Sequence, residues 1–386
     1  MVVHGPYPLA EPRVEREAAA ALDAGWEVDV VAMRNPGEPA EEVVEGVAVR
    51  RLPLRHSRGR GTLAIAREYL GFTALASAKV GALAVRRGYR VVHIHNPPDF
   101  LMLAGLLPRL LGARVVFDIH DFAPQLFATR FAKGRASMAT KRALESVERL
   151  AIGFATAVVT AHDSYRRALE ARGVPSEKIT VVLNSLDERR LPDSAAPSQP
   201  DGFRVVYHGT ITPHFGIELL VEATAKVAPE VPELKLEIYG DGDGLDKVRS
   251  RVEELGLSDR VYLSGCFLPQ RDVLGRVCSA SVGVVSTLPS ELTKGIVPTK
   301  LFEYALLGVP IVSVDLPAIR ELFSPQEVRF FRAGDANDLA DALRDVIADP
   351  DAARTRVAAA RRRYEDYRWS LSARRYVELL ERLAAA

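Results

Sequence analysis

What most limits the fold of this chain is a set of short, β-branched runs nearly free of charge, each ending in a loop: WEVDVVAM (26–33), YRVVHIHN (89–96), ARVVFDIHD (113–121), TAVVTAHD (156–163) and KITVVLNS (178–185). Such runs read as parallel strands buried on both faces. Helical patterns lie between them. In EPRVEREAAAALDAG (11–25), Val14, Ala18 and Leu22 share one face and Gly25 stops the helix. The first half is therefore expected to be a doubly wound α/β domain. Only three residues precede the loop that holds Gly5, so two readings stay open, a shortened start or a brief first strand.

The segment LPDSAAPSQPDG (191–202) breaks the pattern and reads as a linker. A second set follows: FRVVYHG, LKLEIYG, RVYLSG, VGVVST and PIVSV, alternating with amphipathic helices such as 216–228. The closing stretch, with Val377, Leu380 and Leu383 on one stripe, is long enough to return to the first domain. The expected division is 1–190, a linker 191–202, a second domain 203–365, and a returning helix 366–386. A length of 386 residues suits two cores, and a chain 48% hydrophobic and 26% charged has apolar surface to fill them.

Cys266 and Cys278 are too few for a disulfide framework or a structural zinc site, which favours a reducing compartment and a cytoplasmic location. The longest apolar stretch, 69–85, is interrupted by Lys79, so no spanning helix is expected, and the start lacks a secretory pattern. The net charge of +1 conceals +6 in residues 1–190 and −5 in 191–386. Five arginines crowd the run 50–61. Two readings stay open for it: a solvated loop, or a contact with an anionic membrane at the periphery of the inner leaflet, aided by the helix 62–83. No recognition motif points to nucleic acid.

In VPTKLFEYALLGVPIV (297–312), Pro298 suits an early helical position, and Gly308 with Pro310 ends the helix. Lys300 and Glu303 fall on one face. A helix start offers free N–H donors and a partial positive charge, so Thr299, Lys300 and Leu301 there suit a diphosphate, and Glu303 suits ribose hydroxyls. An ordinary i, i+3 surface pair explains the same residues equally well. The run HIHNPPD aligns His93 and His95 on one strand face. With His120 and Asp121 they suggest a metal cluster, but the spacing matches no metal motif, and no metal is expected. GDGDG (240–244) reads as a tight turn with its backbone near a nucleotide. No Walker lysine motif or Gly-x-Ser-x-Gly elbow occurs.

Taken in order, residues 4–32, ITVVLNSLDE (179–188), VVYHGTITPHFGIELLVEA (205–223), residues 237–266 and residues 297–312 resemble the retaining glycosyltransferases of the group 1 family, which have the two-domain GT-B fold. That resemblance implies two Rossmann-like domains facing a cleft. The second holds a nucleoside-diphosphate sugar, UDP- or GDP-linked, and the first binds most of a hydroxyl acceptor, without metal or other cofactor. It implies sugar transfer with retention, in cell-surface glycan, glycolipid or glycosylated-metabolite synthesis. The implied donor residues are Gly5, Gly209, Thr210, Gly240, Phe267, Thr299, Lys300, Leu301 and Glu303. His120 and Lys300 are the implied catalytic pair, and His95, Asn96 and Asp121 lie on the acceptor side.

Two departures stand out. The family's earlier motif glutamate is Gly295 here, with Glu291 as a candidate replacement, and the arginine and lysine that grip the diphosphate in many relatives are Thr210 and Phe215. The alternatives are a nucleotide-sugar 2-epimerase of the same architecture and a non-catalytic nucleotide-sugar-binding subunit.

Overall fold

The computed structural model describes residues 1–8, 11–54, 62–126, 135–191, 202–290 and 293–385. Most of the run 50–61, most of the linker 191–202 and the candidate Glu291 lie outside them. The chain forms two compact units, Met1–Asn184 with Ser370–Ala386, and Ser185–Trp369.

The first unit is built on an eight-stranded sheet. Its strands are β1 (Val2–Pro6), β2 (Asp29–Met33), β3 (Glu41–Val44), β4 (Val47–Leu52), β5 (Val91–His95), β6 (Arg114–Ile119), β7 (Ala157–Thr160) and β8 (Ile179–Val181). They lie in the order β3-β4-β2-β1-β5-β6-β7-β8. All pairs are parallel except β3 with β4. The five expected runs are all strands, and the first strand is not brief: at five residues it matches β2 and β5, and it sits in the middle of the sheet. From β1 the chain builds outward to one side through β2 and then, from β5, to the other. Ligands of open α/β sheets bind beyond the strand ends at such a switch point.

Two elements were not expected. They form a hairpin in which β3 alternates exposed with half-buried residues and β4 begins by alternating buried with half-buried ones, and the two carry Glu41, Glu42, Arg50 and Arg51. Those two arginines open the basic run, and both are held in ion pairs. Arg50 pairs with Glu41 and approaches Asp29 at 3.6 Å, and Arg51 meets Glu38 at 3.0 Å and Glu42. These two arginines are therefore neither solvated loop nor lipid contact, and the rest of the run lies outside the described residues.

The closing helix, Trp369–Ala385, belongs to the first unit from Ser370 onward. Its buried stripe runs through Ser372, Tyr376, Leu380 and Leu383, with Val377 only half-buried. Ser372 accepts the Leu183 N–H at 3.1 Å, and the Tyr376 hydroxyl lies 2.9 Å from His93 Nδ1.

The second unit has six parallel strands: β9 (Arg204–His208), β10 (Lys235–Tyr239), β11 (Val261–Leu263), β12 (Val282–Val285), β13 (Ile311–Val314) and β14 (Arg329–Phe331). Their order, β11-β10-β9-β12-β13-β14, puts the switch point between β9 and β12. Only the three-residue β14 was not expected. The helix Lys300–Leu307 runs between β12 and β13 and ends at Gly308 in the left-handed conformation, φ +72°, as its Gly-Val-Pro exit requires.

Candidate functional site

In the second unit, the ends of β9 and β10 and the start of the helix Lys300–Leu307 converge. Gly209, just past β9, has φ +114°, and a Cβ there would lie 3.6 Å from Lys300 Nζ, so the ammonium rests against this backbone turn. Gly240, just past β10, is closer still to its neighbour. A Cβ on it would come within 1.8 Å of the Gly209 carbonyl, so only glycine lets the two strand ends meet. Ser264, after β11, accepts the Gly240 N–H at 2.8 Å and ties the third loop to the same point.

Lys300 and Glu303 are 8% and 6% exposed, which excludes the surface pair. The Lys300 ammonium lies 4.5 Å from the Tyr207 ring centre and 5.4 Å from that of Phe215. Among the described residues, no carboxylate is in ion-pair contact with it. Burial pushes it down to about 8, with Glu303 pulling the other way. Glu303 Oε2 lies 3.1 Å from His208 Nε2, and its Oε1 is 3.4 Å from Gln270 Nε2. Burial first, and then the charge of Lys300, takes His208 down to about 3, so it is a neutral imidazole. Sequence reasoning missed His208 and Gln270. A histidine ending a central strand just before Gly209 was the available signal.

The remaining donor candidates divide. Thr299 is half-buried in helical conformation, and its carbonyl takes the N–H groups of Phe302 and Glu303. Leu301 is corrected to a packing position: its side chain is fully buried and its N–H is donated to the Pro298 carbonyl at 3.1 Å. Thr210 is exposed, and its carbonyl accepts from the Tyr207 hydroxyl at 2.9 Å. Phe267 stands 46% exposed on the loop after β11.

In the first unit, Asn96, at the end of β5, organises the strand ends. Its Oδ1 accepts the His120 N–H at 2.7 Å and its Nδ2 donates to the Asp121 carbonyl and to Asp99, each at 2.8 Å. His120 Nε2 then lies 3.1 Å from His95 Nδ1 and 3.4 Å from Asp118 Oδ2. Burial lifts Asp121 to about 6, against the pull of His120 and of the Tyr165 hydroxyl 3.5 Å away. Gly5, expected in a loop, lies within β1. A Cβ there would fall 1.9 Å from Glu11 Oε1, so Gly5 makes room for that carboxyl. Glu11 itself was missed. Burial raises it to about 7, with His120 lowering it.

Beneath His120, one ligand atom from each of Glu17, His93, His95 and Asp118 lies within 4.8 Å of the others, all four residues buried. This cluster differs from the one considered in the sequence, which lacked both carboxylates. Arg13 fills the role of a cation in it, gripping Asp118 and lying 3.2 Å from Glu17 Oε1. The donor set is thus already neutralised, and no metal is assigned to it.

Residues 10–185 match the model of the glycosyl transferase 4-like domain, and residues 202–349 that of the glycosyl transferases group 1. The chain belongs to the group 1 glycosyltransferases. The phosphatidylinositol N-acetylglucosaminyltransferase gpi3 subunit of Schizosaccharomyces pombe is 26% identical over 69% of this chain, which spans only 55% of that relative's length. The 2-deoxystreptamine N-acetyl-D-glucosaminyltransferase of Streptomyces fradiae is 27% identical over 90% of this chain and 84% of its own. The solved sucrose-phosphate synthase of Thermosynechococcus elongatus superposes with a TM-score of 0.78 at 20% identity, covering 100% of this chain and 96% of its own. The architecture is the GT-B fold of this family. Among the described residues, no helix is long and apolar enough to cross a membrane.

Proposed function

We propose that this group 1 glycosyltransferase moves a sugar from a nucleoside-diphosphate sugar to a hydroxyl acceptor, with retention at the anomeric carbon and in a reducing, cytoplasmic setting. One observation carries the reading. Lys300 is a buried ammonium at a helix start, set against the Gly209 turn, with two aromatic rings and no described carboxylate in contact. A charge so placed calls for an anionic ligand, since burial without a counter-charge is costly. A diphosphate meets that need, and the adjoining Glu303 suits ribose hydroxyls.

In this reading residues 203–365 hold the donor and 1–190 the acceptor. Lys300 stabilises the departing diphosphate. With no carboxylate nucleophile assigned, the acceptor attacks from the face that the leaving group vacates and passes its proton to a phosphate oxygen. His120, held by Asn96, orients sugar hydroxyls and does not act as a base. The two named N-acetylglucosaminyltransferases support a nucleotide-linked amino sugar as the first donor to try.

Thr210, Phe215 and Gly295, which replace the family's charged residues, favour a second reading, a subunit that binds the donor without turning it over. The test is release of nucleoside diphosphate from a panel of UDP- and GDP-sugars, with and without hydroxyl acceptors, followed by the anomeric configuration of any product. Acceptor-dependent release with retained configuration supports the proposal. Donor binding without turnover under every acceptor favours the subunit, and a changed sugar formed without acceptor favours an epimerase.

A further inference from the structure

The segment that follows β5 turns its leucines outward. In Asp99–Gly105 and Leu106–Leu110, the residues Leu101, Met102, Ala104 and Pro108 are buried, while Leu103, Leu106, Leu107, Leu110 and the adjoining Leu111 are 43 to 76% exposed. The segment is fixed from beneath. A Cβ on Gly105 would sit 3.0 Å from Val115 and 3.1 Å from Ile94, so its backbone rests directly on the sheet. Leu107 crosses the helix Thr62–Arg87 where a Cβ on Gly81 would lie 3.0 Å from it.

That neighbouring helix presents the same anomaly. Its outward stripe runs through Leu63, Leu70, Ala74, Ala78, Ala82 and Val85, spaced at three, four or seven residues, where a helix on a protein surface ordinarily shows polar side chains. Together the two elements form an apolar face of the kind that marks an interaction surface.

The exposed charges that the two elements themselves carry have one sign. On these elements the exposed charged residues are Arg67, Arg86, Arg87 and Arg109, while the acids Glu68 and Asp99 are buried. Lys79 is paired with Glu41 at 2.7 Å and Arg87 with Asp29 at 3.0 Å, which leaves Arg67, Arg86 and Arg109 to the rim. We propose that this face lies on an anionic lipid surface, its leucines at the boundary of the acyl chains and its arginines among the phosphates. A helix lying flat, apolar outward and rimmed with arginine, is the form an interfacial element takes. A second copy of this chain would set arginine against arginine. A protein partner is usually anchored by exposed aromatic residues, which this face lacks. The surface differs from the run 50–61, and it stands whether or not the transfer reading holds.

The test is co-sedimentation of the full chain with vesicles of phosphatidylglycerol and of phosphatidylcholine at low salt. The wild type is compared with a Leu106→Ser, Leu110→Ser, Leu111→Ser variant and with Arg67→Glu, Arg109→Glu. Because all five residues are exposed, both variants should melt as the wild type does, which excludes misfolding as the cause of any loss. The expected result is binding to phosphatidylglycerol alone, weakened about tenfold or more in each variant. Equal binding by wild type and leucine variant, equal binding to both lipids, or no binding at all overturns the proposal. So does a leucine-dependent dimer in sedimentation velocity without vesicle binding, which would give the face to a second copy.

Discussion

Arg13 grips Asp118 through two parallel hydrogen bonds, Nε to Oδ2 at 2.8 Å and Nη2 to Oδ1 at 3.1 Å, and donates a third to the Val182 carbonyl at 2.8 Å. It thereby joins the first helix to β6 and to the chain just past β8, beneath the histidines of the first unit. Burial alone would raise the Asp118 carboxyl, but Arg13, and then His120, hold it well below the usual carboxylate range. Removing Arg13 leaves that charge buried and uncompensated. Arg13→Met is expected to cost about 3–5 kcal/mol, and the double change Arg13→Met with Asp118→Leu distinctly less. Urea unfolding of the two variants checks this; equal losses would contradict it.

That pair also shows where the sequence stopped being legible. Parallel strands buried on both faces give continuous apolar runs, so nearly all of both sheets could be read directly. The β3–β4 hairpin escaped because its alternating charges resemble a surface loop, and β14 because three residues hold no pattern. Lys300 and Glu303 drew notice as charges at a helix head. Arg13, Arg16 and Glu17 did not, because a helix with Val14, Ala18 and Leu22 on one face is expected to turn its charges to water. Here they are buried, and Leu22 is only half-buried. Asp118, a lone acid inside an apolar strand, was the available clue, since a buried charge demands a partner.

Gly240 is the tightest backbone contact of the second unit's site. Gly240→Ala places a methyl group 1.8 Å from the Gly209 carbonyl and is expected to cost roughly 3 kcal/mol or more. Gly25→Ala is the control. It also has positive φ, +83°, but meets nothing within 4 Å, so only the backbone cost of about 1–2 kcal/mol applies. Thermal melts of the two variants should differ accordingly, and equal shifts would remove the steric argument.

His208 Nε2 lies 3.1 Å from Glu303 Oε2, and burial keeps the imidazole neutral across physiological pH. It is a positioning residue for Glu303. His208→Phe is expected to raise the donor KM about tenfold with a smaller change in kcat, and His208→Gln, which keeps an N–H, to recover part of that loss. Glu303→Ala should raise the donor KM by more, roughly tenfold to a hundredfold. Steady-state kinetics on the three variants decide it. A KM unchanged in Glu303→Ala would discard the ribose role, and one unchanged only in His208→Phe would discard the positioning.

Lys300 sets a pH window. Burial first lowers its ammonium from 10.5 to about 8, against Glu303, while the facing His208 stays neutral and the Tyr207 hydroxyl is pushed upward by burial. The folded chain therefore releases this proton before the unfolded chain does. Between about 8 and 10.5 the unfolded state binds more protons, so this group's contribution to stability rises with pH there and is least favourable below 8. Anion binding runs the other way. A diphosphate needs the charged ammonium, so its affinity should fall above about pH 8 by up to tenfold per unit. Calorimetric titration of a nucleoside diphosphate from about pH 7 to about pH 9.5 reads this directly, because the phosphate's own ionisation near 6 is complete below that range. Lys300→Ala should bind more weakly and lose the slope. Lys300→Arg, charged throughout, should also lose the slope wherever the larger head still binds. The same decline in Lys300→Ala as in the wild type would show that some other group meets the phosphates.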